Sequence, residues 1–210
     1  MKILVKIICF LIIITTSLVL YARYVATTGL ITNEIVINED SLPDSYDGIK
    51  IVHITDIHYK RIITEERIDE IIEEVNLINP DIVVFTGDLL DKDSNITEDD
   101  EKLLSSKLVK LNAKYGKYAT IGNHDYMFDK QILANIYANS NFKLLDNDYD
   151  IIYNEKKENI FIGGVTTVSY DEADIDKTME YFNDNDDISY KIILVHEPDY
   201  ADTIIDKYPT

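Results

Sequence analysis

The chain has 210 residues, 46% of them hydrophobic, and a formal charge of −19. Its first thirty residues hold three basic side chains and no acidic one, which leaves −22 on the remainder. A body that acidic repels polyanions, so nucleic acid is excluded as an expected partner, and an anionic membrane surface would not attract it.

The chain opens on "MKILVKIICFLIIITTSLVLYAR", in which Lys2 and Lys6 precede an apolar run over residues 7–22 and Arg23 follows. This reads as an uncleaved signal anchor, a transmembrane helix over residues 1–25. Residues 3–5 lengthen the run if Lys6 snorkels. A cleaved signal peptide is the alternative, although the exit "LYARYVATTG" lacks an A-x-A-like site. The excess of positive charge before the run places the N-terminus in the cytoplasm and the body outside, as a single-pass protein of the cell membrane. The single cysteine, Cys9, lies inside the run, so the body has no internal disulfide and no thiolate ligand or nucleophile.

Residues 33–210 suit one domain with a sizeable core. "NEIVIN" at 33–38 reads as a strand. Four short apolar runs, at 51–54, 82–85, 118–121 and 192–195, are continuous rather than alternating and rich in β-branched or aromatic residues, the pattern of strands covered on both faces. Between the first two, Ile68, Ile71, Ile72, Val75 and Ile78 follow helical spacing, with Thr64 as N-cap and Pro80 as the stop. Between the second and third, Leu103, Leu104, Leu108 and Leu111 mark another helix that ends at Gly116. Residues 127–139 and 173–183 read as helical, and 151–153 and 160–163 as further strands. The alternation of strand and helix predicts an α/β fold, a layered sheet with helices on its outer faces.

The four runs end in "DIH", "GD", "GNHD" and "VHEP". Parallel strands deliver their ends to one rim, so Asp56, His58, Asp88, Asn123 and His196 should converge there. These are oxygen and nitrogen donors without a thiolate, a set that suits borderline first-row divalent ions. Their number exceeds what one ion needs and fits two ions bridged by a carboxylate. The glycines at 87 and 122 are expected to let the backbone turn close to the metals.

The series "DIH", "GDLLD", "GNHD" and "VHEP" resembles the calcineurin-like metallophosphoesterase superfamily. The leading "LPDSYDGIKIVHITDIH" and the anchor resemble its membrane-associated bacterial branch. The resemblance covers roughly residues 33–210. It implies two divalent ions (Mn, Fe, Zn or similar), with Asp56 and His58 on the first, Asp88 bridging, and Asn123 and His196 on the second. It further implies attack on a phosphate mono- or diester by a metal-bridging hydroxide, with His124 as general acid and Asp125 orienting it. The anchored position makes lipid-linked or envelope-derived phosphoesters the expected substrates.

The family pattern continues with a Gly-His-x-His element. The histidines of this chain are His53, His58, His124 and His196 only, so the domain reads as C-terminally incomplete, a piece of a longer protein. A degenerate, non-catalytic metal-binding or interaction domain is the competing class. His53 reads as a core histidine or one just behind the ligands. Asp91 reads as a partner of the ligands or as a turn cap, and Tyr59 and Tyr126 as pocket walls or coincidence. A phosphate-binding P-loop is excluded for want of a Gly-rich Lys-Ser/Thr loop.

Overall fold

A computed structural model describes residues 2–25, 29–154, 158–188 and 190–208. It divides into two units, Met1–Ile37 and Asn38–Thr210. The first unit contains helix α1 (Lys2–Tyr24), which is long and apolar enough to cross a membrane by length and composition. The strand expected at 33–38 does not form. These residues enter no strand pairing, and Ile35, Val36 and Ile37 are exposed. A strand is defined by its neighbour, and the apolar spacing alone does not supply one.

The second unit runs β1 (Ile51–Ile54), α2 (Glu65–Ile78), β2 (Ile82–Phe85), α3 (Glu98–Leu108), β3 (Gly116–Ala119), α4 (Asn123–Met127), α5 (Lys130–Asn139), β4 (Phe142–Leu144), β5 (Asp148–Tyr153), β6 (Asn159–Gly164), α6 (Ile175–Thr178), β7 (Tyr190–Leu194) and α7 (Tyr200–Lys207). Strands β1-β2-β3-β4 form a parallel sheet. A second sheet has the order β5-β6-β7, with β6 antiparallel to β5 and parallel to β7.

The period-two alternation of strand side chains decides what each face covers. Ile82 and Val84 point between the sheets, where they meet Tyr118, Ile160, Ile162 and Leu194. Val83 and Phe85 point the other way, onto Ile68, Ile72 and Val75 of α2, Leu104 and Leu108 of α3, and Leu133 and Ile136 of α5. Phe161, on the outer face of the second sheet, packs with Ile175, Met179 and Ile204. The result is helix, sheet, sheet, helix. Full burial of each such side chain contributes roughly 1.5–3 kcal/mol before conformational entropy is set against it.

Local signals set the boundaries. Thr64 stands at the N-cap of α2 in an extended conformation, and Asn79, at φ 54°, ends the helix before Pro80. A capping box between Thr97 and Asp100 starts α3, whose first turn is wholly acidic.

Several expectations are corrected. The run at 192–195 is β7 in the second sheet, so the four strand ends come from two sheets. An apolar run records burial, not which sheet it joins. The third strand begins at Gly116 rather than 118, because α3 stops at Leu108 and Gly116, at φ 127°, turns the chain directly into β3. The helix expected at 127–139 is interrupted at Phe128, and Asp129 caps α5 by accepting from the N–H groups of Gln131 and Ile132. The segment at 173–183 divides into α6 and a 3₁₀ turn, Glu180–Asn183. Strand β1 lies at a sheet edge, and its Ile51 is 39% exposed.

Lys117 is a buried cation in this core. Its Nζ donates to the carbonyl of Leu108 at 3.1 Å and lies 5.0 Å from the centre of the Phe142 ring. Burial pulls its ammonium down to about 8. Below that pH the charge is buried at full cost. Between pH 8 and the unfolded value the unfolded chain binds a proton that the folded chain has released, so stability rises with pH. Denaturant titrations of Lys117→Met against the parent should show the difference moving by about 2–3 kcal/mol in the parent's favour between pH 7.5 and 10.5. A pH-independent difference would exclude burial as the cause.

Candidate metal centre

The centre grows from the register of β1 and β2. Ile54 pairs with Phe85, and the pairing continues past both strands. The N–H groups of Asp56, His58 and Tyr59 donate to the carbonyls of Gly87, Asp88 and Leu89 at 3.1, 2.9 and 3.0 Å. Asp56, His58 and Asp88 all have positive φ, at 55°, 43° and 56°. Each such residue costs about 1–2 kcal/mol relative to ordinary backbone, and the paired loops hold all three in place.

Gly87 and Gly122 serve the third strand end. Gly87 has φ 98°, and a Cβ there would lie 2.3 Å from Gly122 N. Gly122 has ordinary φ, so its expected role as a turn residue is replaced by a steric one. A Cβ at 122 would meet Asp88 Oδ1 at 2.2 Å and Asp88 N at 2.6 Å. Two loops touch backbone to backbone, and the Asp88 carboxylate occupies the space a side chain would fill. His124 N then donates to Asp88 Oδ1 at 2.9 Å.

The expected donors come together. His58 Nε2 lies 3.3 Å from Asp88 Oδ2 and 3.6 Å from Asp56 Oδ1. His196 Nε2 lies 3.5 Å from Asp88 Oδ2 and 3.1 Å from Asn123 Oδ1. Among the described residues, two groups of three have ligand atoms within 4.8 Å of one another: His58, Asp88 and His124, and Asp56, Asp88 and His196. Asp88 belongs to both. This grouping sets Asp56 with His196, whereas the sequence resemblance set it with His58. Asp88 is nearly buried, while the Asp56 side chain is 52% exposed, so one half of the centre is closed and the other open.

The tautomers decide whether a cation fits. His58 Nδ1 donates to Asp91 Oδ2 at 3.0 Å, and His196 Nδ1 donates to the Thr86 carbonyl at 2.8 Å. In the neutral rings both Nε2 lone pairs then face carboxylate or amide oxygens that also carry only lone pairs. Such an arrangement is unfavourable unless a cation sits among the donors. A proton is the simplest one. Burial lowers the His196 value, but the hydrogen bond and charge of Asp88 lift it further, to about 9. Burial likewise raises Asp88, yet His196 beside it brings its carboxyl below the ordinary value. A divalent ion satisfies the same donors, and their nitrogen and oxygen chemistry suits first-row metals.

Asp125 is corrected. Its buried carboxylate accepts from Asp88 N at 2.6 Å and Leu90 N at 2.9 Å, with Gly122 N at 3.3 Å, and it makes no hydrogen bond to His124. Burial pushes its carboxyl up to about 7, against three N–H donors that favour the anion. The carboxylate beside His124 is Asp91, whose Oδ2 lies 3.2 Å from His124 Nδ1 outside hydrogen-bond geometry. Asp91 is buried, and its Oδ1 accepts from Arg61 Nη1 at 2.8 Å and from Asp93 N at 2.9 Å. Burial raises its carboxyl, and these donors together with His58 bring it down to about 2.

Other residues complete the surroundings. His53 Nε2 lies 2.7 Å from Thr86 Oγ1, which places His53 one residue behind His196. Tyr59 is buried in the core and is not a pocket wall. Tyr126 stacks on Tyr170 at 4.8 Å and donates to Glu172. Sequence reasoning passed over Glu197, which accepts from the Thr167 hydroxyl, from Ser169 Oγ at 2.9 Å and from Val168 N at 3.2 Å, fixing the 167–169 loop next to His196. Its only signal was an acidic residue directly after a strand-end histidine.

Residues 49–209 match the family described as calcineurin-like phosphoesterase. The chain is 30% identical over 182 residues to the uncharacterised metallophosphoesterase YkuE of Bacillus subtilis, a match covering 86% of this chain and 62% of that protein. It is 37% identical over 79 residues to the UDP-2,3-diacylglucosamine pyrophosphatase LpxG of Chlamydia muridarum, covering 38% and 23%. Among solved structures, the NAD nucleotidase NadN of Haemophilus influenzae superposes with a TM-score of 0.51 at 18% identity, covering 74% of this chain and 35% of that one, a likeness of fold. The chain thus spans less than two thirds of the length of each of these three proteins.

Two substitutions test the geometry through metal affinity. Asp91→Asn replaces the acceptor that holds His58 and should weaken Mn²⁺ binding about 10–100-fold in calorimetry. Gly122→Ala should drive the Asp88 carboxylate aside and weaken binding at least about tenfold, as loss of a supporting contact does. Affinity unaltered in Gly122→Ala would mean that the loops can separate without cost.

Proposed function

The chain belongs to the calcineurin-like phosphoesterase family, and from that premise we propose that it is a metal-dependent hydrolase of phosphate mono- or diesters. The observation that carries the reading is the convergence of two imidazole Nε2 atoms, those of His58 and His196, and the Asp56 carboxylate on Asp88, the residue common to both candidate groups. Asp56, His58, Asp88, Asn123 and His196 are the proposed ligands of two divalent ions (Mn, Fe, Zn or similar). Bound there, such ions supply charge neutralisation for the phosphoryl oxygens and lower the pKa of water.

The chain's own residues do the rest. His124 is the proposed general acid. Its ring is partly exposed, so it can meet a leaving oxygen, and its Nδ1 lies 3.2 Å from Asp91 Oδ2, the carboxylate placed to orient it. Asp91 thereby takes the supporting role expected of Asp125. Asp125 instead fixes the backbone from which Asn123, His124 and Asp88 project.

Residues 1–25 are the proposed single-pass anchor, with the 33–210 domain on the extracytoplasmic side. That position brings lipid-linked or envelope-derived phosphoesters within reach. The name of the Chlamydia relative, which specifies a lipid-bearing nucleotide, agrees with that class.

The test is turnover of p-nitrophenyl phosphate, bis(p-nitrophenyl) phosphate and an alkyl phosphodiester with Mn²⁺. A chelator should abolish all three activities. His124→Ala should lower kcat on the alkyl ester about 10²–10⁴-fold and on the nitrophenyl esters far less, because nitrophenolate leaves without a proton. Turnover insensitive to chelation would overturn the hydrolase reading, and equal losses on all esters would remove His124 from the acid role.

A further inference from the structure

We propose that the open cleft lined by Lys60, Arg61, Asp93, Ser94 and Asn95 is a subsite for a second phosphate group on the leaving side of the scissile bond. The proposal rests on the hydrolase reading above and names a substrate class for it: compounds whose leaving group itself carries a phosphate, phosphoanhydrides among them.

The cleft is built onto the centre through one turn. Arg61 N and Ile62 N donate to the His58 carbonyl at 3.0 and 2.9 Å, and Lys60 N donates to the Ile63 carbonyl at 3.0 Å. Ser94 Oγ ties the opposite wall to the same turn through the Tyr59 carbonyl at 3.0 Å. The cleft residues therefore follow His58 without slack.

Arg61 is the central group. Its Nη1 is fixed by Asp91 Oδ1 at 2.8 Å and Asp93 Oδ2 at 2.6 Å. Its Nη2 and Nε take no hydrogen bond among the described residues, and half of the side chain is exposed. A guanidinium oriented by two carboxylates, with donors left over, is ready for a phosphate, which it can grip at two oxygens. Lys60 is likewise oriented, with Nζ 2.6 Å from Asp100 Oδ2. The exposed Asn95 amide makes no hydrogen bond among the described residues.

Position gives the cleft its role. The Asp91 carboxylate bound by Arg61 is the one that holds His58 and lies beside His124. Arg61 thus stands one carboxylate beyond the imidazole that protonates the leaving oxygen. Lys60 and Arg61 are paired with three carboxylates, Asp91, Asp93 and Asp100, so the cleft offers oriented hydrogen-bond donors rather than a net positive charge. A neutral alcohol leaving there would need none of these groups.

The reaction balances as a hydrolysis. The water oxygen bonds to the attacked phosphorus, and the bond from that phosphorus to the bridging oxygen breaks. The bridging oxygen leaves with the electron pair and takes the proton of His124, still bonded to the second phosphate in the cleft.

The experiment compares phenyl diphosphate, attacked at its terminal phosphorus, with phenyl phosphate on the Mn²⁺-loaded full chain. Calorimetry of methylenediphosphonate against methylphosphonate runs beside it. Arg61→Met and Asn95→Asp should each lower the ratio of kcat/KM values, diphosphate over monophosphate, at least tenfold through KM. Both should weaken methylenediphosphonate more than methylphosphonate. Asn95→Asp leaves the Arg61–Asp91 contact in place, so it decides the matter if Arg61→Met fails to fold. A ratio unmoved within twofold, or equal losses on both substrates, overturns the subsite. Absence of turnover on either substrate in the parent protein refutes the hydrolase reading alone, and the calorimetric preference then decides the cleft.

Discussion

Three backbone N–H groups, those of Asp88, Leu90 and Gly122, meet on the buried carboxylate of Asp125. Two loops from adjacent strands are thereby clamped to the first turn of α4. Hydrogen bonds to a charged acceptor are worth about 1.5–3 kcal/mol each, and three orphaned N–H groups would cost about as much again. Without this clamp the Gly87–Gly122 contact would be left to the β2–β3 pairing at its base and to the single bond from His124 N to Asp88 Oδ1. The carboxylate accepts from backbone N–H groups alone, and through them it fixes the loops that carry Asp88 and Asn123.

That clamp coexists with local strain. Asp56, His58 and Asp88 adopt a left-handed conformation that side chains rarely take, and they do so at three of the five proposed ligands. The continuation of the β1–β2 ladder through the loops offsets the cost, since each strained residue keeps a backbone partner on the neighbouring strand end. The central sheet is rigid and dry at Ile82 and Val83, both fully buried. Along β1 and β2 the backbone is ordinary, and the positive φ angles of Asp56, His58 and Asp88 come only after those strands end. Consistency across the sheet and departure at its rim are what a site placed on a stable scaffold looks like.

Much of this was legible in the sequence. Continuous apolar runs located β1 and β2, and the polar residues after them named the donors. The rest was hidden for physical reasons. The three residues of β4 carry too little pattern to register. Gly122 looked like a turn residue because sequence shows the absent side chain but not the neighbour that requires its absence. Asp125 looked like the partner of His124 because the two are adjacent, yet α4 is already helical there. Consecutive residues on a helix point about 100° apart and cannot face each other. Asp91 returns to the imidazole instead, three residues after Asp88 and across a turn. Sequence adjacency is a guide to side-chain contact only when the local backbone is known.

The place of His196 adds a final consequence. It comes from the end of β7 in the second sheet, while its Nδ1 is held by the Thr86 carbonyl at the end of β2 in the first. The centre is thus the point where the rims of two sheets are joined by polar contacts, above the apolar packing of Ile82, Val84, Ile160 and Ile162. With like-charged carboxylates and imidazole lone pairs gathered there, a cation is needed to turn a mutual repulsion into a clasp. A divalent ion bound by the folded chain and not by the unfolded one stabilises by mass action, and one held by the proposed ligands would do so across the sheet interface. The donors proposed for the metal ions are thus also the groups that join the two sheets at their rims.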